Sequence, residues 1–202
     1  MPRMVLLITT FLALASPSAA APFNSIASSS MMPTLGEGDI IFTLPYTVPK
    51  QRGDIVVFAE DGYSHVSRII GLPGETVTVI GGVVLIDGTP LNQTQLTEPI
   101  AGGCPKLMPP GKKCAFYREA LPNGASHVII SLDTAAYYDN SQAVTLGDDE
   151  YFVMSDNRDN AVDSREFGPV AENAILGLVQ NITFSPRFGL WPDRLAGFPE
   201  AQ

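Results

Sequence analysis

The chain reads as a mostly β protein of antiparallel strands, and three observations carry that reading. Short apolar runs recur along it, each bounded by glycine, proline or aspartate, the punctuation of strands and turns. Gly81-Gly82 joins two such runs as a tight hairpin would. No stretch sustains the 3.6-residue spacing of a long amphipathic helix. With 202 residues, of which 18 are glycine and 17 proline, there is enough chain for one core of moderate size and enough turns to divide it into many strands.

Taken in order, residues 39–44 form the first strand candidate, ended by Pro45. Gly53-Asp54 opens a second at 55–59, and a third runs from 63 to 70 and stops at Gly71-Leu72-Pro73-Gly74. Residues 75–80 and 83–86 flank the hairpin glycines, and Asp87-Gly88 marks another turn. From 91 to 125 the pattern loosens into proline, glycine and polar residues around two cysteines, which reads as a small inserted β/loop subdomain at about 88–147. Strands resume at 127–132, 150–154 and 175–182, with one helical turn expected at 169–174.

Arg3, the apolar run 4–15 and the small residues Ser18-Ala19-Ala20-Ala21 have the order of a secretory signal peptide. The run is short for a membrane span. Residues 1–21 are therefore read as a cleaved signal or an uncleaved anchor, and 22–202 as the folded domain outside the cytoplasm, periplasmic or otherwise extracytoplasmic. Cys104 and Cys114 fit an oxidising compartment and are expected to form a disulfide at the base of the loop between them. The net charge of -9 argues against nucleic acid as a partner, because phosphate binding needs clustered Lys and Arg. No His, Cys or carboxylate set shows metal-ligand spacing, so neither a metal nor another cofactor is expected.

The chemistry-bearing residues fall in four ordered stretches. These are Ser30-Met31-Met32-Pro33-Thr34-Leu35, then Gly53-Asp54-Ile55-Val56-Val57-Phe58, then Arg68-Ile69-Ile70-Gly71-Leu72-Pro73-Gly74-Glu75. The fourth is Ser155-Asp156-Asn157-Arg158-Asp159-Asn160-Ala161-Val162-Asp163-Ser164-Arg165-Glu166-Phe167-Gly168. Together they resemble the bacterial type I signal peptidase (leader peptidase) family of serine endopeptidases. Its sequences carry S-M-x-P-T-L, G-D-I-V-V-F, K-R-x-x-G-L-P-G-[DE] and G-D-N-R-D-N-S-x-D-S-R-x-x-G in that order. Arg118-Glu119-Ala120-Leu121-Pro122-Asn123-Gly124 is also similar to the family's periplasmic members.

The resemblance implies an antiparallel β-sheet catalytic core near a membrane surface, and exported preproteins with small residues at positions -1 and -3 (Ala-x-Ala) as substrates. By the same matching Ser30 is the nucleophile and Ser28 completes the oxyanion hole with the Ser30 N–H. Ile26, Met31, Leu35 and Val66 line shallow pockets for small side chains, or serve as ordinary core. Arg68 matches the partner of the motif's first aspartate, here Asp156. Arg158, Asp159, Asp163 and Arg165 supply alternating charges that can pair and brace the site. Near the end, Phe188, Leu190, Trp191 and Phe198 either meet the bilayer interface or close the core.

Two departures bear on the mechanism. The family's bacterial members place a lysine general base immediately before the arginine that Arg68 matches, and here that residue is Ser67. The motif serine that would bond the lysine is Ala161. The only lysines are Lys50, Lys106, Lys112 and Lys113, none of them in the third strand. His65 lies two residues before Ser67, on the same side of a strand, and is the residue type most used for base work, so it is the alternative base. Water-mediated relay through Ser67 is another route. Against both stands a homologue that binds signal-peptide-like segments without cutting them. His127, heading a strand far from the motifs, reads as structural.

Overall fold

The computed structural model describes residues 22–45, 49–97, 104, 114–131, 137–186 and 194–195. The N-terminal segment 1–21, the loop residues 105–113 and the aromatics Phe188, Trp191 and Phe198 lie outside these. Fourteen strands are described: β1 (Phe23–Ser25), β2 (Ile40–Leu44), β3 (Ile55–Glu60), β4 (Tyr63–Gly71), β5 (Thr76–Ile80), β6 (Val83–Ile86), β7 (Thr89–Pro90), β8 (Asn92–Leu96), β9 (Ala115–Ala120), β10 (Ser126–Ser131), β11 (Val144–Thr145), β12 (Glu150–Met154), β13 (Val170–Ala171) and β14 (Ile175–Phe184). A seven-stranded sheet has the order β1-β2-β14-β3-β4-β12-β13, beside a four-stranded sheet β11-β5-β6-β7 and a three-stranded sheet β10-β9-β8. The pairings between these strands are antiparallel, so the mostly β reading holds.

The hairpin expected at Gly81-Gly82 joins β5 to β6, and both glycines take positive φ (57° and 78°), which a two-residue turn of this kind demands. Gly71 serves a different need. A Cβ there would lie 2.6 Å from Val77 and 2.9 Å from Phe152, so its bareness lets β4 run close to the core. That core joins Ile70, Val77, Val79, Val84, Ile86, Leu121, Leu146 and Phe152. A second cluster, with Val56, Phe58, Ile69, Tyr151 and Val153, packs between β3, β4 and β12.

Three details go beyond what the sequence shows. The stretch 91–125 contains two real strands, β8 and β9. Asn92-Gln93-Thr94-Gln95-Leu96 has almost no apolar alternation, so its strand is set by pairing with β9. The helical turn expected at 169–174 is present as a 3-10 turn at Glu172–Ala174, preceded by a short strand, β13, at Val170–Ala171. The one α-helix among the described residues is α1 (Ser164–Phe167), inside the last motif, where the Asp163 carboxylate caps it by accepting from the Arg165 N–H. Cys104 and Cys114 are joined as a disulfide, with Cα atoms 6.0 Å apart.

Candidate active site

The serine loop is a tight turn, with the Leu35 N–H bonded to the Met31 carbonyl (2.8 Å) and the Met32 N–H to the Ser29 carbonyl (3.1 Å). Met31, Met32 and Leu35 are buried and anchor the turn, while Ser28 is exposed and Ser30 half-buried. The Ser28 and Ser30 hydroxyls lie 3.0 Å apart, and Ser28 Oγ is 3.5 Å from the Ser30 N–H nitrogen. Asn157 holds the loop from the other side. Its backbone N–H donates to the Ser30 carbonyl (2.9 Å) and its Nδ2 to the Ser29 carbonyl (3.0 Å). Asn160 Nδ2 reaches Ser29 Oγ at 3.2 Å.

Charged pairs fix the motif loop that carries Asn157. Arg68 forks onto Asp156 with Nε to Oδ1 at 2.9 Å and Nη2 to Oδ2 at 2.8 Å, and Thr34 Oγ1 donates to the same carboxylate. Arg158 forks onto Glu119 of β9, with Nη1 to Oε2 at 3.1 Å and Nη2 to Oε1. Arg165 forks onto Asp163 (2.9 and 2.8 Å), whose Oδ2 also accepts from the Ser155 N–H at 2.9 Å. Asp159 Oδ2 accepts from the Ser131 hydroxyl at 3.2 Å. Behind them the Arg194 guanidinium, wholly buried, donates to the Thr34 carbonyl (3.0 Å) and to Asp39 Oδ2 (2.5 Å).

His127 sits inside this cluster, wholly buried, with Nε2 at 3.4 Å from Glu119 Oε1 and 3.7 Å from Asp156 Oδ1. Burial and then the Arg68 charge push the imidazole pKa below its ordinary 6.5, against the partial offset of the two carboxylates. Burial raises the Asp156 and Glu119 carboxyls, but the Arg68 and Arg158 guanidiniums more than offset it and hold both below their ordinary values. With His127 neutral, two guanidiniums balance two carboxylates. Protonation would add an uncompensated buried charge. Folded His127 binds its proton less readily than the unfolded chain does, so stability is lost as pH falls below 6.5 toward the lowered value. Urea unfolding at about pH 7.5 and about pH 5.5 should show this loss, and His127→Gln should flatten it.

The sequence-predicted residues divide into groups. Ile26, Met31 and Leu35 share one buried cluster with Val57, and Val66 packs against it. Ser67 is buried, its hydroxyl 3.2 Å from that of Ser155, also buried. His65 joins neither the serine pair nor the cluster of Ile26 and Met31. Its ring stacks on Phe58 (centroids 5.6 Å apart) and tilts against Phe167 (6.4 Å). Lys50 binds Glu172 at 2.6 Å.

Sequence reasoning passed over Ser155, Glu119 and the burial of His127. Ser155 was open to view, because it stands where the quoted family motif carries glycine. Glu119 stood within the family-like stretch 118–124, but nothing there pointed to its partner Arg158, 39 residues away in the last motif.

Comparison with known proteins decides the family. Residues 2–184 match the family described as signal peptidase, peptidase S26. The chain belongs to this family of signal peptidase-type serine endopeptidases. Among relatives, the signal peptidase I of Rickettsia typhi is 28% identical over 203 aligned positions, covering 84% of this chain and 74% of its own length. A probable signal peptidase I-1 of Synechocystis is 31% identical, covering 75% of this chain and 65% of its own. A crystal structure of a signal peptidase I from Enterococcus faecalis aligns over 66% of this chain and 98% of its own, at 26% identity and a TM-score of 0.39. Signal peptide cleavage is the family's activity.

Proposed function

We propose that the protein is an endopeptidase that removes signal peptides from exported preproteins after small residues of the Ala-x-Ala kind, on the extracytoplasmic side of a membrane. The observation that carries this reading is the Ser28–Ser30 hydroxyl pair, 3.0 Å apart on a loop whose carbonyls are tied to Asn157. Ser30 Oγ would attack the scissile carbonyl. The Ser30 N–H and the Ser28 hydroxyl would then stabilise the oxyanion, and water would release the acyl group. Val66, half-buried against the core cluster of Ile26, Met31 and Leu35, would offer short side chains a wall that those three residues back from the interior. Substrate would lie extended beside it, bound through its backbone.

The position before Arg68 offers a hydroxyl where relatives offer an amine, so the Ser30 proton leaves by another route. His65 is the titratable group two residues away, and its stacking on Phe58 and Phe167 means that a water chain has to connect it to Ser30. A second reading, a module that binds signal peptides without cutting them, is favoured by the Ser67–Ser155 contact, since neither hydroxyl is a base near neutrality.

Cleavage of an Ala-x-Ala peptide by the purified protein separates the two. Turnover that Ser30→Ala abolishes supports the protease; equal inertness of both proteins, with peptide binding retained, supports the module. A penem adduct on Ser30 contradicts the module. Ser28→Ala should lower kcat by about 10²–10³ with KM little changed. If His65 is the base, the rate falls in acid; an unchanged His65→Ala rate removes that assignment.

A further inference from the structure

We propose that Glu119 and His127, both from the three-stranded sheet, are positioning residues for the nucleophile, acting through Asn157. Asn157 is the residue whose backbone and side chain hold the Ser29 and Ser30 carbonyls. Its two chain neighbours, Asp156 and Arg158, are each clamped. Arg68 of β4 takes the first and Glu119 of β9 the second. His127 of β10 lies between the clamps, 3.4 Å from both Glu119 Oε1 and Arg158 Nη2 and 3.7 Å from Asp156 Oδ1. Gln93 Nε2 of β8 donates to Glu119 Oε2 at 2.8 Å, so all three strands of that sheet contribute.

The backbone follows the same path. The Ile130 N–H of β10 donates to the Asp156 carbonyl (2.9 Å), the Arg158 N–H donates to the Ile130 carbonyl (3.0 Å), and Ile130 and Asn157 form an isolated parallel bridge. The Asn157 peptide is therefore gripped at both ends by groups that are almost entirely removed from water. Such pairs have strong directional preferences and no solvent to substitute for a lost partner. Removing Glu119 takes the counter-charge from Arg158 and leaves its guanidinium only the Ser155 carbonyl (Nε, 3.1 Å) and His127 (3.4 Å), which loosens the Ile130–Asn157 bridge and with it the Asn157 N–H. The serine loop then loses the bond that sets the angle of Ser30. Neither Glu119 nor His127 touches substrate in this arrangement. Their effect is on where the Ser30 hydroxyl and N–H point.

The test is amide hydrogen exchange on the full folded chain, which reads the anchor whether or not the protein cuts peptides. In Glu119→Gln, the Asn157 and Arg158 amides should exchange about tenfold faster or more relative to amides of the β2–β14 pair, whose opening reports the rest of the fold. Glu119→Asp, which keeps the charge, should recover part of the protection. Should Glu119→Gln fail to fold, His127→Gln carries the same expectation without stranding a charge. Equal acceleration of all amides, or none at Asn157, overturns the proposal.

Kinetics form a second arm that rests on the protease reading. There Glu119→Gln should lower kcat by about 10²-fold, as small misplacements of reacting groups do, with KM unchanged. If the wild-type chain cuts nothing while the exchange result holds, the protease reading fails and the positioning role stands. If turnover is robust and kcat is untouched by Glu119→Gln, the positioning role fails.

Discussion

Replacing Ser67 by lysine and Ser155 by glycine together should raise hydrolysis of an Ala-x-Ala peptide by about 10²–10⁴-fold, the usual worth of a positioned general base. Ser67 is buried on β4, and its hydroxyl meets that of Ser155 at 3.2 Å, so a long amine placed there alone would collide with its neighbour. Overpacking of this kind costs about 1–3 kcal/mol. Opening position 155 relieves it and restores the residue the family motif carries. An amine buried beside apolar strands has its pKa lowered, which is what makes it a base near neutrality. Adding Ala161→Ser should increase the rate further by giving the amine a hydrogen-bond partner. Steady-state kinetics on the single, double and triple variants check the order. A folded double variant that shows no gain would mean that the serine loop is not presented for attack at all.

Breaking the Arg68–Asp156 fork should be the most destabilising single change in the site. Both side chains are at most 2% exposed. Asp156→Asn leaves the Arg68 guanidinium buried without a counter-charge, a loss of about 3–5 kcal/mol out of a typical total of about 5–15. Urea unfolding should show the midpoint falling with the slope preserved. The Lys50–Glu172 pair provides the contrast, because the Glu172 side chain is 48% exposed. Glu172→Gln should cost less than Asp156→Asn, because solvent screens the carboxylate side of this pair although the Lys50 side chain is only 6% exposed. A loss on Asp156→Asn no larger than that would mean water reaches the fork.

Much of this architecture was legible in the residues. β3, β5, β6 and β12 declare themselves through β-branched and aromatic runs between turn residues such as glycine and aspartate, because burial on a sheet selects those side chains. β8 did not, since polar residues such as Asn92 and Gln93 form a strand only when β9 offers its edge. The site followed the same division. Ser30, Arg68 and Asp156 could be placed by their motifs, and Arg68 and Asp156 are in contact across 88 residues. His127 could not, and Glu119, though it stands in a family-like stretch, showed no partner there, because a buried charge network is defined by three-dimensional neighbours that local pattern does not encode. His65 shows the limit from the other side. Strand alternation placed it on the side shared with Ser67, but the aromatic partners that occupy its ring come from β3 and α1.

Arg194 gives the molecule a dependence on order of synthesis. Its guanidinium holds the Thr34 carbonyl from 160 residues downstream, and reaches Asp39 and Ser185 as well. While a ribosome is still adding residues, Thr34 and its neighbours have emerged but this ligand has not. The turn that carries Ser30 can therefore settle only once residue 194 is present, so a chain stopped short of it would carry that serine without the brace.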